Sequence, residues 1–228
     1  MKLISLPISP YAARVRGAIY AKQLLVEIVY PGPNWRASGE LTEYSPVGRI
    51  PVLLLDDGTA IPESRVIVDL LEDMFPQIPL RPVDPLKRAK ADLIRTLLDL
   101  YVCPHVAPIY TQLHVGEAFT DTLAIDRLLA GLRVVEAYLS SGYACGSDLS
   151  VADLWLVTAR FQAGGVLRGT GRDEALEQVP RFRDYVQVVH EDPVLGRVWN
   201  ELQKALEHVA TVWRGGVAFD KALEFVGY

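Results

Sequence analysis

Three short stretches of this sequence carry residues whose types and spacing could do chemistry. Ser9-Pro10-Tyr11 stands where a β-compatible run, residues 2–6, gives way to a helical one, residues 10–24. A helix N-terminus presents unpaired N–H groups and the positive end of the helix dipole, so an anion such as a thiolate is stabilised there. A hydroxyl at that point can donate a hydrogen bond to a bound sulfur. Ser9 can equally be a plain N-cap, and taken alone that is the simpler account. Ile50-Pro51 puts a proline at the mouth of an apolar, strand-like run, an unusual position for it. One solution is a cis bond, which would turn the N–H and C=O of Ile50 outward. An extended peptide could then pair with that backbone as an added strand. The other solution is a trans proline that simply starts the strand after Gly48-Arg49, and the local sequence does not separate the two. Pro62-Glu63-Ser64-Arg65 opens a second helical run. Its N-terminus and serine hydroxyl suit a carboxylate, while Glu63 can meet an ammonium group. Capping alone would also account for a glutamate there.

These stretches depend on the elements around them. Pro10 sits at the favoured first helical position, and Val15, Ala18 and Ile19 follow at helical spacing. Val26 to Tyr30 reads as a second strand, ended by Pro31-Gly32-Pro33. Ile50 to Leu55, Asp56-Asp57-Gly58 and Thr59-Ala60-Ile61 predict a hairpin. Residues 63–74 predict a helix with Val66, Ile67, Leu70, Leu71 and Met74 as its apolar stripe. The order strand, helix, strand, irregular or helical stretch, strand, strand, helix predicts a small α/β domain over residues 1–78. Pro76, Pro79, Pro82 and Pro85 then exclude a continuing helix or central strand and mark a boundary. Residues 86–228 read as all-helical. Leu86, Ala89, Leu93, Leu97 and Leu100 form one apolar row, and Leu128, Leu132, Val135 and Leu139 another. Further helices are expected over 150–163, 180–191 and 194–209. The tail residues Trp213, Phe219, Phe225 and Tyr228 are expected to pack on something. The fold class is therefore α+β, in two domains.

Half of the 228 residues are hydrophobic and 22% are charged, with a net charge of -5, which supplies a core but no clustered basic footprint for nucleic acid. No apolar run reaches membrane-span length, and Pro7 and Pro10 interrupt the N-terminus too early for a signal segment. A cytoplasmic protein is expected. Cys103 and Cys145 lie far apart, no CxxC occurs, and His105, His114, His190 and His208 show no ligand spacing, so neither a metal nor a thiol pair is expected.

The runs SPYAARVR, GRIPVLLLDDG and IPESRVIVDLLED, in this order and followed by the proline linker, resemble the glutathione transferase superfamily. Ser150-Val151-Ala152-Asp153 is similar to that family's S/T-x-x-D capping box, a folding device. The resemblance covers nearly the whole chain and is weakest beyond residue 165. It implies a thioredoxin-like domain with a mixed four-stranded sheet, then an all-helical domain contributing the electrophile site. Glutathione is implied as cosubstrate, with no metal. Ser9 would activate its thiol, and Ile50, before Pro51, would pair through its backbone with the cysteinyl part. Glu63 and Ser64 would hold the γ-glutamyl amino and carboxylate groups, and Arg49 would lie near the tripeptide. Tyr11 is the alternative sulfur partner, as in tyrosine-type members. The cysteine of thiol-disulfide subclasses and the Ser-Ser-Cys of zeta-type isomerases are both absent, leaving a serine-type member with a zeta- or omega-like pattern. For the electrophile, the candidates are Tyr11, Ala12 and the stretch from Tyr101 to His114 with His105 and Tyr110, in a helix that Pro104 and Pro108 would bend. Trp213 or Phe219 could form a lid. Any one of these aromatics is more simply core. The implied activity is a detoxifying transferase acting on a small hydrophobic electrophile, by conjugation or by ether or thioether cleavage. A glutathione-dependent isomerase and a non-catalytic binding or regulatory member are the alternatives. A homodimer is implied.

Overall fold

The structure is a computed structural model and describes residues 1–32, 35–114 and 121–214. The chain divides into two compact units, Met1–Pro79 with Asn200–Tyr228, and Leu80–Trp199.

In the first unit the order is β1 (Lys2–Ile4), α1 (Pro10–Ala21), β2 (Glu27–Val29), α2 (Trp35–Ser38), a 3-10 turn (Glu40–Glu43), β3 (Val52–Leu54), β4 (Ala60–Pro62) and α3 (Ser64–Met74). The sheet runs β2-β1-β3-β4. The β1–β2 pair is parallel and needs the α1 crossover. The β1–β3 and β3–β4 pairs are antiparallel, which makes the mixed, thioredoxin-like sheet. The hairpin closes as Leu55 N–H donates to Thr59 O at 2.9 Å, with Gly58 at φ 88°, a conformation glycine adopts without steric cost. Ile4 and Val52, paired across β1 and β3, share a buried cluster with Leu6, Trp35 and Leu41. Leu3 and Leu53, one position along, turn to the other face.

Helix α3 buries Ile67, Val68 and Leu71, whereas Val66 is 53% and Met74 44% exposed. The expected stripe is thus rotated. The inner row ends in Glu72, whose carboxylate meets Lys22 Nζ of the adjoining α1 at 2.6 Å. An ion pair that is buried must be made, and it orients the helix where apolar spacing alone does not.

The second unit is built from α4 (Pro85–Leu97), a π-helical turn (Leu98–Val102), α5 (Cys103–His114), α6 (Thr122–Glu136), α7 (Val151–Gly169), a 3-10 turn (Asp173–Gln178), α8 (Pro180–Glu191) and the start of α9 (Pro193–Arg214). The π turn directly precedes Cys103-Pro104. Proline has no N–H to return to the preceding turn, and a widened turn absorbs that loss. Helix α7 is the core element, and its capping box closes as expected. Asp153 collects four donors: Ser150 N–H at 2.9 Å, Ser150 Oγ at 2.8 Å, Ala144 N–H at 2.7 Å and Tyr185 Oη at 2.8 Å. The apolar row expected on α4 largely faces outward: Leu86 is 81%, Leu93 37% and Leu100, in the π turn, 60% exposed. The buried face is Ala91, Ile94, Arg95, Leu97 and Leu98, so of the expected row Leu97 does turn inward. Arg95 holds an inner position because its guanidinium stacks 4.5 Å from the Trp155 ring and pairs with Asp92 at 3.2 Å. No described helix is long and apolar enough to cross a membrane. Phe219, Phe225 and Tyr228 lie outside the described residues, as do the side chains of His114 and Trp213.

Candidate functional site

Strand register assembles the site. Ile4 pairs with Val52, and Val52 with Pro62. The C-terminal end of β1, the N-terminal end of β3 and the C-terminal end of β4 therefore lie side by side. The chain leaves β1 toward Ser9, enters β3 through Ile50-Pro51 and leaves β4 into Glu63-Ser64. Three motifs far apart in sequence meet at one end of the sheet.

Ser9 is the N-cap of α1, and its Oγ accepts the Ala12 N–H at 3.2 Å. Its carbonyl accepts Ala13 N–H at 2.9 Å, and its own N–H donates to Leu6 O at 3.1 Å. Capping uses the hydroxyl oxygen as an acceptor and leaves the O–H able to donate, so the capping and sulfur-binding accounts are compatible. The first turn of α1 holds no acidic residue, which leaves the positive dipole end unopposed within that turn. Ala12 is fully buried. Its N–H serves the Ser9 cap. Tyr11 is 42% exposed, with the Arg14 guanidinium 4.8 Å from its ring centroid.

The Ile50–Pro51 peptide is cis. The β3 ladder begins at Val52, and among the described residues no other backbone group takes up the N–H or C=O of Ile50. The Ile50 side chain packs on the cluster containing Trp35 and Leu41, which anchors that backbone from beneath. Arg49 beside it is exposed.

Glu63 precedes α3 with φ 71° and ψ 116° and makes no side-chain capping bond. The plain capping role is therefore not what its exposed carboxylate performs. A residue with a Cβ held at positive φ carries strain of about 1–3 kcal/mol, and such residues concentrate at functional sites. Ser64, first in the helix, is 6% exposed.

On α5, His105 and Tyr110 are both half-buried. Residues five apart on a helix stand about 140° apart, so the element does not bring these two onto one face. Burial pushes the Tyr110 phenol well above its ordinary range, which keeps it a neutral hydrogen-bonding group. Among the described residues no cluster of His, Cys, Asp or Glu could hold a metal.

Sequence reasoning missed Arg16, which is 3% exposed and hydrogen-bonded to the loop that carries Ser9. The available signal was Arg14-Val15-Arg16 in the middle of an otherwise apolar helix. A charge that such a helix buries must find partners.

The family model for the glutathione S-transferase N-terminal domain matches residues 3–79. The chain is 35% identical over 160 residues to probable maleylacetoacetate isomerase 2 of Drosophila melanogaster, covering 66% of this chain and 68% of that protein. It is 36% identical over 123 residues to a probable maleylacetoacetate isomerase of Caenorhabditis elegans, covering 52% of this chain and 57% of the nematode protein's length. In structure it is similar to glutathione transferase F7 of Populus trichocarpa, with a TM-score of 0.72 at 24% identity over 88% of this chain and 98% of the other. With the sheet, the cis-proline mouth and the capping box in view, these likenesses mean that the chain belongs to the glutathione transferase superfamily.

Proposed function

We propose that this protein is a glutathione-dependent transferase that ionises the glutathione thiol at Ser9 and directs the thiolate at a small hydrophobic electrophile. The observation that carries this reading is the convergence of Ser9, the Ile50 backbone, which no backbone group among the described residues pairs, and Glu63-Ser64 at one end of the sheet. Ile50 pairs with the cysteinyl backbone as an added strand does. Glu63 meets the γ-glutamyl ammonium, Ser64 its carboxylate, and Arg49 lies beside the tripeptide. The Ser9 O–H donates to the sulfur, aided by the N-terminus of α1. A free thiol ionises near pH 8.5, so lowering that value by one or two units multiplies the thiolate present at neutral pH. In conjugation the thiol proton passes to solvent, a C–S bond forms, and the leaving group departs with the bonding pair. In ether or thioether cleavage the departing group is the alkoxide or thiolate. Tyr11 in the first unit is a proposed electrophile contact, and within residues 86–228 His105 and Tyr110 are the proposed ones.

A second reading, a glutathione-dependent isomerase in which the thiol adds and then leaves, is favoured by the names of the two relatives. The missing Ser-Ser-Cys weighs against it. Product analysis separates the two, since a transferase consumes glutathione and an isomerase regenerates it. Retention on glutathione resin with elution by free glutathione tests both. Failure to bind would favour a non-catalytic, regulatory member of the fold, a reading that the intact Ser9, Ile50-Pro51 and Glu63-Ser64 weigh against.

The reading includes a cytoplasmic homodimer. The exposed Leu86, Leu93 and Leu100, and separately Val66 and Met74 on α3, support apolar surface that a second copy would cover. Light scattering at micromolar concentration tests this, and a monomeric mass would remove it.

A further inference from the structure

Arg16 lies on α1, two turns beyond Ser9, and its guanidinium is almost wholly occupied. Nη1 donates to Ser5 Oγ at 2.8 Å and to the Leu6 carbonyl at 3.0 Å. Nη2 donates to the Pro7 carbonyl at 2.8 Å. Nε donates to Glu201 Oε2 at 2.9 Å, while Tyr20 donates its hydroxyl to Glu201 Oε1 at 2.8 Å. All of these residues belong to the first unit. The Leu6 carbonyl that receives Arg16 also receives the Ser9 N–H at 3.1 Å. A planar fork with fixed donor directions thus holds three consecutive residues, and one of its acceptors is shared with the serine.

We propose that Arg16, itself oriented by Glu201, is a positioning residue that sets where the Ser9 hydroxyl stands. The proposal rests on the glutathione reading and deepens it. Displacing a catalytic group by about 1 Å can cost on the order of 100-fold in rate, and the Ser5–Pro7 segment leading to Ser9 is held by this fork rather than by strand pairing beyond Ser5. Lysine carries the same charge but has no fork, so Arg16→Lys separates geometry from charge. Glu201→Gln removes the charge that orients Arg16 while keeping a similar shape.

The test uses the full chain, with each variant made alone and in the Ser9→Ala background. The ultraviolet absorbance of bound glutathione against pH reports thiolate. Affinity for S-methylglutathione, which has no thiol proton, reports the grip on the rest of the tripeptide. In Arg16→Lys the bound thiol is expected to ionise about one pH unit higher, with about tenfold less thiolate at neutral pH. S-Methylglutathione affinity should stay within about twofold of wild type. In the Ser9→Ala background Arg16→Lys should change thiol ionisation no further, because coupled residues are not additive. Full additivity, or an equal loss of S-methylglutathione affinity, would show that Arg16 only supports the fold. If Arg16→Lys does not fold, Glu201→Gln decides by the same criteria, with a smaller shift in the same direction. A wild-type protein that ionises no glutathione at any pH would instead overturn the glutathione reading, and this proposal with it.

Discussion

The carbonyl oxygen of Tyr101 occupies the space a side chain at Gly131 would need: a Cβ added there would stand 1.9 Å from that oxygen and 2.7 Å from its carbon. Helix α6 thereby packs backbone to backbone on the π turn before Pro104. Because the obstacle is main chain, no rotamer change relieves it. Gly131→Ala is expected to cost about 3 kcal/mol, the upper part of the usual overpacking range. Urea denaturation measures it, and a loss below about 1 kcal/mol would show that the two elements separate easily.

Lys22 and Glu72 have side chains only 1% and 4% exposed. Lys22 also donates to the Ile78 carbonyl at 2.7 Å, which ties α1 to the start of the proline-rich segment. Lys22→Met removes the ammonium that meets the buried Glu72 carboxylate and should cost about 3–5 kcal/mol. The double variant Lys22→Met, Glu72→Leu should recover most of that loss. Equal instability in the single and double variants would contradict this account.

Asp153 anchors the second unit. Burial pushes its carboxyl up, and hydrogen bonds from Ala144, Ser150 and Tyr185 pull it down. Asp153→Ala strands those donors in the core, where each unmet group costs about 1–3 kcal/mol. The expected result is a loss above about 3 kcal/mol, read by denaturant titration. Wild-type stability in this variant would mean that water satisfies the site.

Ser9 has two roles of different size. Ser9→Ala should cost about 1 kcal/mol of stability through the lost cap. Thiolate formation by bound glutathione should fall by at least about tenfold at neutral pH. Unchanged turnover in Ser9→Ala would take this hydroxyl out of the mechanism and turn attention to Tyr11.

Local sequence was enough for much of this protein. Helix starts at Pro10 and Pro180, the Asp57-Gly58 turn, the proline-rich break and the Ser150–Asp153 box are each decided by backbone chemistry within a few residues, so they read directly from the chain. The motifs of the candidate site were legible for the same reason, each marking a helix start or a strand mouth. Tertiary structure alone decided what depends on residues distant in sequence. The register of Ile4 with Val52 and of Val52 with Pro62 brings the three motifs together. The positive φ of Glu63 and the cis Ile50–Pro51 peptide became visible only in the folded chain. Packing against α1 rotated the buried face of α3, and the Trp155 ring drew Arg95 inward on α4. Arg16 found its partners in a loop and in a helix 185 residues away. Hydrophobic spacing tells which residues can be buried, but the neighbour that buries them, and the charge that must be met there, is settled only when distant segments pack.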